Sequence, residues 1–252
     1  MAKRSFSSSG NPFMNEEAFH KSGSNQPLDG HLIDRGERMT VQGAVNKSFI
    51  LFGIMLLTSL VSYAFPSKLF MFGGAIGGLI IVLIASFKQH LSPSLAPVYA
   101  ILEGLFVGAI TFYYGMAFGG GIIFHAVTLT FAVLFMMLFI YKTGIIKVTD
   151  KLRMGVVMAT GAICLMYLVN IVMSMFGVNL PFLHQGGALG IGISVVIVGV
   201  AAFNLLLDFD NFEKGEQYGA PRYMEWFSAM GLLITLVWLY IEMLRLLSKL
   251  RD

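Results

Sequence analysis

The feature that most constrains the fold of this chain is a series of long segments that contain no Asp, Glu, Lys or Arg. These segments are residues 48–67, 69–87, 104–141, 154–183 and 185–207. A helix crosses the hydrocarbon core of a bilayer with about 20 apolar residues, so each segment can span it and 104–141 can span it twice. Gly119, Gly120 and Gly121 mark the break inside that longest segment. A further apolar segment, 226–247, carries Glu242 and Arg245 as its only charged residues.

The composition indicates the same class of protein. Hydrophobic residues make up 56% of the chain, charged residues only 12%, and the mean hydropathy is +0.76, whereas about 25% of the residues of a soluble domain are charged. A transmembrane barrel would show alternating strands of about ten residues, and no segment alternates in this way. The net charge of +3 is small and gives no support to nucleic-acid binding. We therefore predict an all-α integral membrane protein that spans the lipid bilayer with seven transmembrane helices.

The distribution of basic residues predicts the orientation, because Lys and Arg are concentrated in cytoplasmic loops. Residues 1–44 are interpreted as a disordered cytoplasmic N-terminal tail rich in Ser, Gly and Asn, and residues 45–250 as the seven-helix transmembrane domain. With the N-terminus inside, the outer loops between the spans carry only Lys68. The inner segments carry Arg35, Arg38, Lys47, Lys88, Lys142, Lys147, Lys151, Arg153, Lys214 and Arg222.

The C-terminal end is the exception to this pattern. Arg245, Lys249 and Arg251 would lie outside if the last helix crosses the membrane fully. Either the last helix crosses against the rule, or it re-enters and its end stays inside. The sequence leaves both alternatives open.

Ionisable residues inside apolar helices are candidates for function, because burying a charge in lipid costs several kcal/mol unless it is neutralised or paired. Glu103, in the stretch YAILEGLFVG, lies near the middle of the third span. Asp208 is predicted to end the sixth span, where an acid at a helix C-terminus needs a basic partner. Lys88, which ends the second span on the same membrane face, is the predicted partner. Glu242 is expected to pair with Arg245, three residues further along the last helix.

The motifs of enzymes and metal sites are missing from this sequence. It contains no HExxH, GxSxG or phosphate-binding loop and no Cys/His cluster, so we expect no enzymatic activity, no cofactor and no bound metal. Asp208, Asp210 and Glu213 lie close together but lack the fixed ligand spacing and the glycine of a calcium-binding loop.

Three stretches carry a resemblance to the Bax inhibitor/YccA (TMBIM) family. They are the Glu-Gly of YAILEGL, the Asp of LLLDFDNFEKG and the ending LYIEMLRLL. Their order and spacing within a frame of seven spans resemble that family from about residue 45 to residue 250. The resemblance implies a fold with two layers of three helices around a central C-terminal helix. It also implies a multi-pass protein of the bacterial inner (plasma) membrane.

The resemblance further implies a pH-sensitive calcium leak channel. In such proteins an aspartate pair senses protons and a basic residue latches onto the first aspartate, which corresponds to Asp208, with Lys88 at the basic position. The second aspartate is replaced by Thr235, and Glu242 on roughly the same helix face is a displaced substitute. Asp210 would then attract cations to the cytoplasmic mouth. The alternative is a non-conducting adaptor that regulates partner proteins in the membrane, such as a membrane protease or cell-death regulators.

Overall fold

A computed structural model describes residues 38–177 and 187–251, and these residues form helices. The seven long helices are α1 (Val41–Ala64), α2 (Lys68–Phe87), α3 (Ser92–Phe118), α4 (Gly121–Thr143), α5 (Asp150–Met175), α6 (Ala188–Gln217) and α7 (Met224–Lys249), with a short 3₁₀ turn at Gln89–Leu91. No strand occurs in these ranges. The nearest feature to one is an isolated antiparallel bridge between Arg38 and Pro221.

All seven helices are long and apolar enough to cross a membrane, which confirms the predicted class of a seven-helix integral membrane protein. Large apolar side chains such as Leu69, Phe124 and Leu165 are exposed along them, as expected for surfaces that face lipid. The helix α7 differs from the others, because 78% of the residues in its most apolar window are buried. The central position of α7 and the two layers of three helices stay predictions.

The helix boundaries follow from capping residues in the sequence. The side chains of Thr40, Ser67 and Thr149 accept hydrogen bonds from backbone N–H groups in the first turns of α1, α2 and α5, which satisfies donors that a helix start leaves without partners. Gly119 separates α3 from α4 with a φ of 81°, a conformation that favours glycine. The predicted break at the three glycines is thus confirmed.

The sixth helix is longer than the sequence analysis predicted. The prediction ended it at Asp208, but α6 continues to Gln217, so Asp208 lies nine residues (217 − 208) before its end. The charged and polar residues that follow Asp208 are compatible with a helix that extends beyond the hydrocarbon. The field of a helix end acts only within the last turn, so the argument that Asp208 opposes the helix dipole was wrong.

The start of the first helix also differs from the prediction. Helix α1 begins at Val41, four residues before the predicted start of the transmembrane domain. Residues 1–37 of the predicted tail lie outside the described residues.

The chain divides into two compact units. The first comprises the residues up to Phe112 together with Asp208–Ile234, and the second comprises Tyr113–Leu207 together with Thr235–Asp252. In the first unit, α1 and α3 approach closely at glycines. A Cβ atom added at Gly108 would lie 2.1 Å from the backbone oxygen of Ser59, and the hydroxyl of Ser62 donates to the backbone oxygen of Leu105 at 2.6 Å. Such small-residue contacts are typical of packing between transmembrane helices.

Candidate functional site

The three carboxylates predicted to lie inside the spans are all buried. Glu103 is 9% exposed, Asp208 2% and Glu242 1%. The other two predicted site residues are more accessible: Asp210 is half-buried and Lys88 is exposed. Of the five predicted site residues, three are therefore buried acids, whereas Asp210 and Lys88 lie closer to the surface.

Glu103 lies deep within α3. It is 11 residues (103 − 92) after the start of the helix, which corresponds to about 16 Å along the axis. Tyr99, one turn earlier on the same helix, is buried as well. On the facing helix α2, a Cβ atom added at Gly78 would lie 2.9 Å from the Glu103 Oε2 atom. The glycine thus provides the space that this carboxylate occupies.

Asp208 lies on a face of α6 that is polar although it is buried. Asn204, one turn earlier, and Asn211, one turn later, are buried as well. Asn204 is close enough in sequence to bond to Asp208, but its amide nitrogen donates to the hydroxyl of Thr160 at 2.8 Å and to the backbone oxygen of Val200 at 2.9 Å. Both amide hydrogens are used in this way. Asn204 therefore ties α6 to α5 and is not available to Asp208.

Lys88 is the residue immediately after α2, as predicted. Its side chain is exposed, and no ion pair joins it to Asp208 in the part of the chain that the structure describes. Asp210 instead has a basic partner within its own helix, because its carboxylate lies 3.2 Å from the ammonium group of Lys214. The ion pair between Lys88 and Asp208 stays a prediction.

Glu242 forms the local ion pair predicted from the sequence, together with a residue that the sequence did not reveal. The Nη1 atom of Arg245 donates to both carboxylate oxygens of Glu242, at 2.9 and 3.1 Å. The hydroxyl of Tyr167 in α5 donates to the same carboxylate at 2.7 Å, and the Arg245 guanidinium lies 4.8 Å from the centre of the Tyr167 ring. The buried negative charge of Glu242 is thus balanced within the second unit.

Glu225, in the first turn of α7, is a buried acid that the sequence analysis missed. Its carboxylate accepts hydrogen bonds from the backbone N–H of Thr40 at 2.9 Å and from the Thr40 hydroxyl at 3.1 Å. The ammonium group of Lys47 donates to its other oxygen and lies 5.6 Å from the centre of the Trp226 ring. A Cβ atom added at Gly43 would collide with this carboxylate. We call Thr40, Lys47 and Glu225 the N-terminal clasp, because they fasten the start of α1 to the start of α7.

A polar stripe along α7 was also missed as a pattern. It consists of four residues spaced seven apart, all of them buried: Ser228, Thr235, Glu242 and Lys249. A spacing of seven keeps residues on nearly one face of a helix. The hydroxyl of Ser228 has no hydrogen-bond partner among the described residues. The spacing of seven residues is visible in the sequence. The sequence does not tell whether polar residues with this spacing face the protein interior or the solvent, and only the burial in the structure shows that they face the interior.

The described residues include no group of three or more His, Cys, Asp or Glu side chains that could hold a metal ion.

Seven apolar helices with buried ionisable groups define a multi-pass α-helical membrane protein. The chain belongs to the Bax inhibitor 1 like family, whose family model matches residues 11–252. The resemblance inferred from three short stretches is confirmed by this match. No curated protein matched the chain.

Proposed function

We propose that this protein is a pH-sensitive leak channel for calcium and related cations, without enzymatic activity. It would reside in the bacterial inner (plasma) membrane with its N-terminus in the cytoplasm. The observation that carries the proposal is the burial of three carboxylates, Glu103, Asp208 and Glu242, within helices that are otherwise apolar.

Buried carboxylates are costly in a membrane protein and tend to mark ion or proton pathways. Apolar or amide side chains of similar size would fill the same space at lower cost. Carboxylate, carbonyl and hydroxyl oxygens are also the ligands that calcium prefers. A protein that only docks partners at its surface needs no such groups in its interior, so their burial favours conduction over the adaptor role.

Asp208 is the proposed gating residue, and Lys88 is its proposed partner in a closing ion pair. Because Lys88 is exposed and lacks this pair in the described structure, the pair would form only after a conformational change that brings the two residues together. Glu242 is engaged by Arg245 and Tyr167, so it would take part in gating only if that network opens.

Calcium flux tests the proposal directly. The purified full-length protein is reconstituted into liposomes that contain a calcium indicator, and influx is measured from pH 5 to pH 8 against protein-free liposomes. We expect a protein-dependent leak whose rate changes with pH. A folded, reconstituted protein without flux at any pH would contradict conduction and favour the adaptor.

The proposed orientation has its own test, which uses one cysteine at a time on a Cys164→Ser background. Ile145 lies in the connection between α4 and α5 and is 67% exposed, whereas Gly120 lies in the connection between α3 and α4 with no atoms near an added Cβ. With the N-terminus inside, a membrane-impermeant thiol reagent applied to intact cells labels Gly120→Cys but not Ile145→Cys. The reverse pattern would refute the orientation.

A further inference from the structure

We propose that Lys249 is a tethered cation that occupies an oxygen-lined site on α6 and thereby blocks one end of the polar stripe on α7. This inference rests on the proposed cation-leak function and adds a device that keeps the leak small.

The first observation is the environment of the Lys249 ammonium group. Lys249 is the last residue of α7 and is only 4% exposed. Its Nζ atom donates to the backbone oxygen of Gly190 at 3.0 Å and to the hydroxyl of Ser194 at 2.8 Å. Within the described residues it has no carboxylate partner. A buried ammonium group is therefore held by two neutral oxygens of α6.

The second observation is that the nearest acid on the same stripe is already engaged. Glu242 lies two turns before Lys249, and its carboxylate accepts hydrogen bonds from Arg245 and Tyr167. Burying an ammonium group without a counter-ion is costly, and an apolar side chain would fill the space at lower cost. The placement of Lys249 is thus poorly explained by packing alone.

The chemistry of the site points to a cation-binding position. Backbone carbonyl and hydroxyl oxygens are ligands that hard cations such as calcium accept. The ammonium group of Lys249 uses these oxygens as a permeant cation would, but it is tied to the protein by its own side chain. Its charge also repels a second cation that approaches the same oxygens.

The position along the helix completes the inference. From Ser228 to Lys249 the stripe extends over 21 residue-to-residue steps (249 − 228) of one uninterrupted helix, or about 32 Å at 1.5 Å per step. This length is close to the hydrocarbon thickness of a bilayer, about 30 Å. A cation that follows this stripe across the membrane would meet Lys249 at one end.

The test compares calcium leak through three variants in the liposome assay. Lys249→Gln keeps hydrogen-bond donors but removes the charge, Lys249→Arg keeps both, and Arg251→Met removes a basic charge at the same helix end. Arg251 is a matched control because it lies outside the stripe and donates to the backbone oxygen of Phe118. Gel filtration and thermal melting in detergent establish that each variant is folded.

We expect Lys249→Gln to raise the leak about tenfold, the change produced by lowering a barrier by about 1.4 kcal/mol. Lys249→Arg and Arg251→Met should stay near the wild-type rate.

Two outcomes would contradict the reasoning in different ways. If the wild type leaks calcium and Lys249→Gln leaks at the same rate, this inference is overturned and the proposed function stands. The absence of leak from the wild type and from every variant would overturn the proposed function itself. If only Lys249→Gln is misfolded, the calcium leak of Ser194→Ala is measured in its place. This variant removes one of the two oxygens that accept from Lys249, so it should raise the leak. An unchanged leak rate in Ser194→Ala would overturn the inference.

Discussion

The N-terminal clasp allows a quantitative prediction about stability. In Glu225→Ala, the backbone N–H and the hydroxyl of Thr40 lose their acceptor, and the ammonium group of Lys47 loses its counter-ion. In the wild-type pair the Lys47 side chain is 13% exposed and that of Glu225 is 3% exposed. Little water can therefore replace the missing carboxylate unless the start of α1 moves away.

The magnitude follows from this burial. Removing one partner of a buried ion pair costs about 3–5 kcal/mol, because it leaves an uncompensated charge. Since Lys47 keeps some contact with solvent, we expect the lower end of that range, about 3 kcal/mol, for Glu225→Ala. Lys47→Met should cost less than this, because Thr40 still donates two hydrogen bonds to the Glu225 carboxylate. The double variant should be less destabilised than the sum of the two, since both break the same pair.

The assay is unfolding of the purified protein in mixed micelles with increasing SDS, followed by circular dichroism and tryptophan fluorescence. Trp226, next to Lys47, reports on the clasp itself. The control is Lys214→Met, which removes an ion pair between residues four apart on α6 whose side chains are 20% and 14% exposed. On an exposed helix surface a pair with this spacing contributes about 0.3–0.5 kcal/mol. Because both side chains are more exposed than those of the Lys47–Glu225 pair, we expect a smaller loss of stability than in Glu225→Ala. Equal effects of Glu225→Ala and Lys214→Met, or strict additivity of Glu225→Ala and Lys47→Met, would refute the reasoning.

Three further predictions concern the membrane-spanning residues. Glu103→Gln keeps the shape of the side chain and removes its ionisable proton, so the protein should fold normally while the pH dependence of calcium flux flattens; an unchanged pH profile would reduce Glu103 to a packing residue. Asp208→Asn and Lys88→Met should each raise basal calcium flux, with the double variant less than additive; additive effects would show that the two residues do not act as one pair. Gly108→Ala should destabilise the protein by about 1–3 kcal/mol in SDS unfolding, because α1 and α3 must separate, whereas Gly53→Ala, which has open space around an added Cβ, should be close to neutral.

The sequence predicted the spans well because hydropathy and length are local properties. An apolar segment bounded by charges or glycines becomes a helix in lipid wherever it lies, since its backbone must satisfy its own hydrogen bonds. The pair between Glu242 and Arg245 was predictable for the same reason, because residues three apart on a helix are neighbours. The burial of Glu103 followed from its distance to the nearest charged residues.

Contacts between distant parts of the chain were not predictable in this way. Glu225 and Lys47 are separated by 178 residues (225 − 47), and nothing in either local sequence identifies the other as its partner. The end of α6 was misjudged because the charges after Asp208 suggested a helix terminus, although charged residues continue a helix readily. The role of Tyr167 was also hidden, since a tyrosine in an apolar span carries no signal that its hydroxyl meets an acid on another helix.

The contacts of the last basic residues also bear on the exception to the inner bias of Lys and Arg. Arg251 donates to the backbone oxygen of Phe118, at the end of α3, and Lys249 donates to the first turn of α6. The first contact places the end of α7 beside the connection between α3 and α4, and the second places it beside the start of α6. Both of these places lie outside if the N-terminus is inside. As one uninterrupted helix of 26 residues, α7 is about 39 Å long, more than the hydrocarbon thickness requires. We therefore favour full crossing over re-entry, and the three C-terminal basic groups are compatible with it because protein oxygens already bind them.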